Sequence, residues 1–260
     1  MKRYSHKRVL ITAGGKSIGQ STAFRLLNEG AKVLITDIDP EALEQTKALA
    51  IKKGYSSDLL LTECFDLQDA NDCNNGFARS IEQLGGVDVL VSNAGGSLQT
   101  PYAFLDETDN DWHKVIELNI MATVRLLRQV IPLMVKNEYG RIVLLGSKAG
   151  RYGSLIAGAN YSTVKGGISA LTRQIAMEFG PKNITCNAVC PGIVMTDRVQ
   201  ALWAERRTES ERLKVLHDVP LRRHAVVEDI ASAIAFYGSD DASFVTGTVL
   251  DVNGGQAMCG

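Results

Sequence analysis

Short apolar runs alternate with helical stretches along almost the whole chain, and few folds accommodate that rhythm. Residues 9–12, 32–36, 59–65, 87–92, 141–145, 184–189 and 248–252 read as strands. Helical patterns fill 18–29, 40 to about 54, 69–84, 108–136, 160–179 and 228–237. Asp39-Pro40 offers a cap and a first-turn proline, while Gly30 and Gly85-Gly86 stop the helices before them. Strands joined through a helix run parallel, because the crossover needs that length of chain. The fold class predicted is therefore α/β, a doubly wound parallel sheet of about seven strands with helices on both faces. No repeat or linker divides the 260 residues, so 1–260 reads as a single domain. The stretch 195–218 breaks the rhythm; it is polar, charged and helical in pattern, and reads as an insertion.

A hydrophobic fraction of 45% supplies an ordinary globular core, and a net charge of −1 argues against nucleic acid or an anionic membrane as main partner. No apolar run reaches transmembrane length, and the basic N-terminus lacks a signal-peptide core. Five cysteines without a CxxC (Cys64, Cys73, Cys186, Cys190, Cys259) favour reduced thiols over disulfides or zinc, and burial accounts for Cys186 and Cys190. A cytoplasmic enzyme without a metal fits.

The turn Thr12-Ala13-Gly14-Gly15-Lys16-Ser17-Ile18-Gly19 joins the first strand to the first helix. Glycines there let the backbone approach a pyrophosphate over a helix N-terminus, as in Rossmann-type sheets. A P-loop is excluded, since the glycine it needs five residues before Gly15 is Leu10. A nucleophile elbow, Gly15-Lys16-Ser17-Ile18-Gly19 with His217 or His224, is a competing reading, but it sits after the first strand rather than deeper in the sheet. Asp37 favours the dinucleotide: it ends the second strand, 18 residues past Gly19, where it can accept both adenosine ribose hydroxyls. A 2′-phosphate would meet that carboxylate, Ile38 follows instead of arginine, and Lys16 is the nearby cation. NAD is preferred over NADP.

Between Ser147 and Lys165 lies the equipment for moving a proton on and off an alcohol. Tyr161 and Lys165 are four apart, on one face of a helix. A tyrosine beside a fixed ammonium gives up its proton more readily than a free phenol, whose pKa is about 10. Ser147 closes an apolar run, where its hydroxyl can hold a carbonyl or alcohol oxygen.

Together these motifs resemble the short-chain dehydrogenase/reductase family over nearly the whole chain. The turn is similar to TGxxxGxG, with Ala13 and Ser17 at its first two glycines and Gly19 retained. Asp66-Leu67 resembles the adenine-contacting pair, and Ser92-Asn93-Ala94-Gly95 resembles NNAG with serine first. Asn119, Ser147, Tyr161 and Lys165 match the catalytic set. Pro191-Gly192-Ile193-Val194-Met195-Thr196 matches the PGxVxT stretch at the nicotinamide end, and 246–255 the family's last strand and turn. Ala225 and Val227 replace a Gly-x-Pro, which leaves the loop shape there open.

The resemblance implies hydride transfer between a nicotinamide and a secondary alcohol or ketone. Tyr161 would exchange the proton, Lys165 would lower its pKa and hold the nicotinamide ribose, and Ser147 would hold the substrate oxygen. Asn119 would fix a water through its carbonyl. Thr12, Gly14, Gly15, Ser17, Ile18, Gly19, Asn93, Ala94 and Gly95 would surround the cofactor with Asp37, Asp66 and Leu67. Tyr161, Lys165, Pro191, Gly192, Val194 and Thr196 would do so at the nicotinamide end. Ser97, Lys148, Arg151, Tyr152, Met195 and Trp203 are substrate candidates. Arg198, Arg206, Arg207 and Arg212 form either a lid for an anionic substrate or a salt-bridged surface helix. The expected activity is NAD-dependent, on a small polar alcohol or ketone such as a sugar, polyol or hydroxy acid. Alternatives are an NADPH-dependent 3-oxoacyl-thioester reductase and a non-catalytic NAD-binding protein. Family members are commonly tetramers, so a homotetramer or homodimer is expected.

Overall fold

The strand runs are apolar on both faces, the pattern of a sheet covered twice. In the computed structural model, which describes residues 2–154 and 156–258 apart from the side chains of Asp197 and Arg198, these runs form one parallel sheet. Its strands are β1 (Arg8–Thr12), β2 (Lys32–Asp37), β3 (Leu60–Cys64), β4 (Val89–Ser92), β5 (Gly140–Leu145), β6 (Ile184–Pro191) and β7 (Val249–Val252). Their order is β3-β2-β1-β4-β5-β6-β7. The chain winds outward from β1 to β3, then returns to β4 beside β1, so the strand order reverses between β1 and β4. Loops leaving these two strands diverge there, and a crevice opens at their carboxyl ends.

The helices are α1 (Ser17–Asn28), α2 (Pro40–Lys52), α3 (Ala70–Leu84), α4 (Asp109–Ile116), α5 (Ala122–Lys136) and α6 (Ala149–Tyr152). They continue with α7 (Ala159–Phe179), α8 (Asp197–Arg206), α9 (Glu209–His217) and α10 (Val227–Tyr237). One core packs α1, α2 and α10 on the sheet through Leu26, Leu43 and Ile234 against Val9, Ile11 and Val33. The other packs α3, α5 and α7 through Phe77, Leu126 and Ile168 against Leu10, Leu90 and Ile142.

Local signals set most helix ends. Asp39 accepts from the Ala42 N–H ahead of Pro40, and Asp69 accepts from Asn71 and Asp72 N–H. Gly85 ends α3 at φ +78°, a left-handed angle that glycine adopts without strain. The stretch expected as one helix from 108 to 136 is continuous but irregular: a π turn, Glu117–Met121, joins α4 to α5. Taken together, Asp109–Lys136 is long and apolar enough to cross a membrane by length and composition. It is a core helix here, with Leu126, Val130 and Met134 buried against the sheet. The insertion at 195–218 forms α8 and α9, the latter started by a Thr208–Glu211 capping box. The loop lacking Gly-x-Pro closes by backbone pairing of Val194 with Ala225.

Candidate functional site

A cavity of about 480 Å³ lies over the carboxyl ends of the strands. On one side it meets the turn after β1. Ala13 and Ser17, at the two replaced glycines, keep left-handed angles of φ +50° and +51°. Gly19 is still required, since a Cβ there would lie 2.2 Å from the Ala13 carbonyl oxygen. Lys16 caps α1 without a side-chain acceptor, and the first turn carries no acidic residue. Helix amides and a positive dipole end therefore face the cleft uncapped by any side chain, a fit for a pyrophosphate.

Asp37 lines the same cleft, and its Oδ2 accepts the Gly15 N–H at 3.0 Å. Lys16 is turned to Asp39 at 2.7 Å, so the one cation proposed to assist a 2′-phosphate is already paired. Asn93 donates to the carbonyls of Thr12 and Ala13 at 3.1 and 2.9 Å, and the Ala94 N–H donates to Thr12 Oγ1 at 2.9 Å. These bonds stitch the end of β4 to the turn after β1. Thr12 and Ala94 act as framework behind the cleft wall. Gly14, Gly15 and Gly19 are likewise behind it. Asp66 and Leu67 do not line it either: the Asp66 carboxylate accepts from Gln68 N–H, folded onto its own loop.

Ser147, Tyr161 and Lys165 come together at the middle of the cleft. Ser147 follows β5, and α6 then turns the chain so that Gly150 meets α7. A Cβ on Gly150 would stand 2.3 Å from the Lys165 carbonyl carbon, so this approach requires glycine. Lys165 is 3% exposed; its Nζ donates to the Leu145 carbonyl at 2.8 Å and stands 5.8 Å from the Tyr161 ring centre. Asn119 is buried inside the π turn, outside the cleft lining. Its amide donates to the carbonyls of Gly96 and Val115, and its Oδ1 accepts the Gly96 N–H. Its own carbonyl accepts from the Thr123 hydroxyl, which in turn meets Ser92 at 3.1 Å. Serine in place of the family's first asparagine thus keeps a polar link across β4. Cys190, behind this centre, is no nucleophile, since burial pushes its thiol up to about 11.

Pro191, Gly192, Val194 and Thr196 line the far wall, and Ser97, Lys148 and Trp203 the outer part. The other three substrate candidates do not line the cavity. Arg151 is drawn away by Asp251 at 2.9 Å, Tyr152 is 69% exposed on the outside, and Met195, whose N–H donates to the Ala225 carbonyl, is absent from the lining. Neither His217 nor His224 reaches the cleft, which leaves the nucleophile-elbow reading without a base. The Arg198 side chain and Cys259 lie outside the described residues.

Sequence reasoning missed several members. Val199 and Leu202 of α8 line the outer cavity beside Ile156 and Ala157. Glu107 accepts the Asn160 N–H at 3.3 Å with each oxygen, supplying the side-chain cap that Gly158 cannot give to α7. An apolar spacing in 199–203 was the available signal for the first; nothing local marks the second.

A family model described as enoyl-(acyl carrier protein) reductase matches residues 12–257. The chain belongs to the short-chain dehydrogenase/reductase family. It is 33% identical over 252 residues to the 3-oxoacyl-[acyl-carrier-protein] reductase of Rickettsia prowazekii, covering 97% of each chain. It is 32% identical over 256 residues to that of Salmonella typhimurium, covering 98% of this chain and 99% of the relative. Among solved structures, levodione reductase superposes with a TM-score of 0.89 at 30% identity, covering 97% of this chain and 98% of its own. A short-chain type dehydrogenase/reductase from Mycobacterium ulcerans gives 0.88 at 28%, covering 97% and 90%. As a family member, this chain is an oxidoreductase acting on CH–OH groups with a nicotinamide cofactor.

Proposed function

We propose that this oxidoreductase reduces the ketone of a 3-oxoacyl thioester to the secondary alcohol, with NADH as reductant. The observation that carries this is the character of the outer cavity. Ile156, Ala157, Val199, Leu202 and Trp203 make it mostly apolar, with Ser97, Lys148 and Ser154 as its polar members, while Arg151 is paired with Asp251. Such walls suit an acyl chain better than a sugar, polyol or hydroxy acid, whose several hydroxyls would lose water against more apolar than polar wall. The curated relatives at 31–33% identity bear the 3-oxoacyl reductase name, which supports the same substrate class over the small polar one.

Held along Ser17, Ile18, Asp37 and Asn93, NADH would supply the hydride for the carbonyl carbon. Tyr161 donates its hydroxyl proton to the carbonyl oxygen, so one hydride and one proton convert ketone to alcohol. Ser147 donates a hydrogen bond to that oxygen as negative charge gathers on it. Lys165 places an ammonium beside the phenolate left behind and favours it. Asn119 holds the loop after β4 through Gly96 and keeps the π turn, a feature common at functional sites. Asp37 selects NADH by meeting the ribose diol and repelling a 2′-phosphate.

The test compares reduction of acetoacetyl-CoA and longer 3-oxoacyl thioesters with oxidation of polyols and hydroxy acids by NAD⁺. The thioesters should give kcat/KM at least about tenfold higher, the worth of one or two buried methylenes. Faster polyol or hydroxy-acid oxidation would refute the substrate class and leave the reaction type standing.

A further inference from the structure

Arg206, the last residue of α8, is a nearly buried cation whose ion pair, with the adjacent and exposed Glu205, is a long one. Its side chain is only 8% exposed, and Glu205, itself 69% exposed, stands 3.9 Å off. Its partners are main-chain carbonyls. Nη1 donates to Ile156 at 2.6 Å and Nη2 donates to Thr100 at 3.4 Å. The guanidinium also stands 5.3 Å from the centre of the Tyr102 ring. A guanidinium is an expensive group to bury on neutral acceptors, so its fork must hold something together.

Three segments converge on it, and each builds the substrate half of the cleft. One is α8, which brings Leu202 and Trp203 to the cavity. The second is the loop between α6 and α7, which brings Ile156 and Ala157. The third is the loop after β4, which brings Ser97 and continues to Thr100. The Thr100 hydroxyl is bonded in turn to the Asn160 amide at 3.1 Å, one residue before Tyr161.

We infer that Arg206 is the latch that closes α8 over the bound substrate, a positioning residue and not a charge that meets the substrate. Closure excludes water from Tyr161 and completes the apolar wall. The latch rests on the reductase reading only for its kinetic consequence.

The test uses the full chain with Trp112→Phe, so that Trp203, 2% exposed on the lid, is the sole tryptophan emitter. Arg206→Met keeps the apolar stem and removes every donor; Arg206→Lys keeps the charge but not the fork. Loss of charge-assisted hydrogen bonds should move the closed-to-open ratio by about tenfold or more. Acrylamide should therefore quench Trp203 more strongly in Arg206→Met, with Arg206→Lys between. The KM for the thioester should rise by a similar factor, while NADH affinity and kcat stay within about threefold, the pattern of lost uniform binding. Unchanged quenching in Arg206→Met overturns the latch. Stronger quenching together with lost NADH affinity also overturns it, since the change is then a general loosening of the fold. Stronger quenching with intact NADH binding, in a protein that reduces no thioester, upholds the latch and refutes the substrate reading.

Discussion

Asp37→Asn is the sharpest probe of the cofactor reading. The substitution is isosteric. The Asn oxygen can still accept the Gly15 N–H that Asp37 Oδ2 accepts at 3.0 Å, while its amide nitrogen gives up the longer bond that Oδ1 accepts from the Asp39 N–H at 3.2 Å. Beyond that bond, what is lost is the charge. A hydrogen bond to a charged acceptor is worth about 1.5–3 kcal/mol against roughly 1 for a neutral one, so the ribose diol of NADH loses about 1 kcal/mol. A dianionic 2′-phosphate some 4 Å from a carboxylate is repelled by at least about 1–2 kcal/mol even at the dielectric of water. Removing that repulsion helps NADPH while the first effect weakens NADH. The preference should thus move toward NADPH by about 2–3 kcal/mol, roughly thirty- to 150-fold. Lys16 does not blunt the effect, because Asp39 holds it at 2.7 Å. Adding Asp39→Asn, itself a good helix cap, frees Lys16 and should shift the ratio further. Fluorescence titration with NADH and NADPH at one fixed salt concentration reads both constants. A ratio that moves less than about threefold, or a parent protein that prefers NADPH, refutes the argument.

Tyr161→Phe removes one hydroxyl and leaves the ring beside Lys165; turnover should fall at least about a hundredfold with NADH affinity unchanged, and near-parental turnover would remove Tyr161 from the reaction. Ala13→Gly relieves a left-handed angle of +50°. The relief of about 1–2 kcal/mol exceeds the 0.4–1 lost to chain entropy, so thermal unfolding should shift up by roughly 2 °C and a lower midpoint would contradict the strain. Acid stability turns on the end of the sheet opposite the cleft. Burial pushes the Glu29 carboxyl up, but hydrogen bonds from Arg3 and Arg25 outweigh it and hold it below its usual range. For Asp88, burial is likewise outweighed by the Arg8 side chain and N–H. Lowered folded-state values stabilise the fold above the ordinary carboxyl range, about pH 4–4.5, and that contribution disappears as pH falls through the folded values. Urea midpoints should therefore hold flat near neutrality and drop below about pH 4.5, less steeply in Glu29→Gln. On the edge strand β7, Leu250 is 38% exposed beside an open sheet edge. Light scattering should find an oligomer that Leu250→Lys weakens, and a parental monomer would end that expectation.

Features written in adjacent residues were legible in the sequence. The Asp39-Pro40 cap, the alternation of strand and helix, and the Ser147, Tyr161 and Lys165 spacing each need only local chain to specify them. What escaped is held by partners far apart. The Arg151–Asp251 pair spans 100 residues and turns a substrate candidate outward. The Glu107–Asn160 cap spans 53, and the Arg206–Ile156 bond spans 50. The π turn escaped for a related reason. Helix propensity over 117–121 is ordinary, and the extra residue is accommodated where the Asn119 amide reaches back to Gly96, 23 residues earlier. Even the α6 turn depends on Gly150 finding the backbone of Lys165, which no periodicity encodes.

The two halves of the cleft are built by different means, and their responses to substitution should differ accordingly. The dinucleotide half rests on strand ends tied by short bonds, Asn93 to the turn after β1 and Lys165 to Leu145, inside the part of the fold that the two cores hold. The substrate half rests on two loops and α8, joined through the Arg206 guanidinium, a few polar bonds such as Thr100 to Asn160, and apolar side chains. Its energy of closure is therefore small, and substrate binding can supply it. Changes in the first half should alter dinucleotide affinity and stability together. Changes in the second should alter KM for the ketone and leave the melting curve nearly untouched, which is how one rigid frame can carry different substrate preferences.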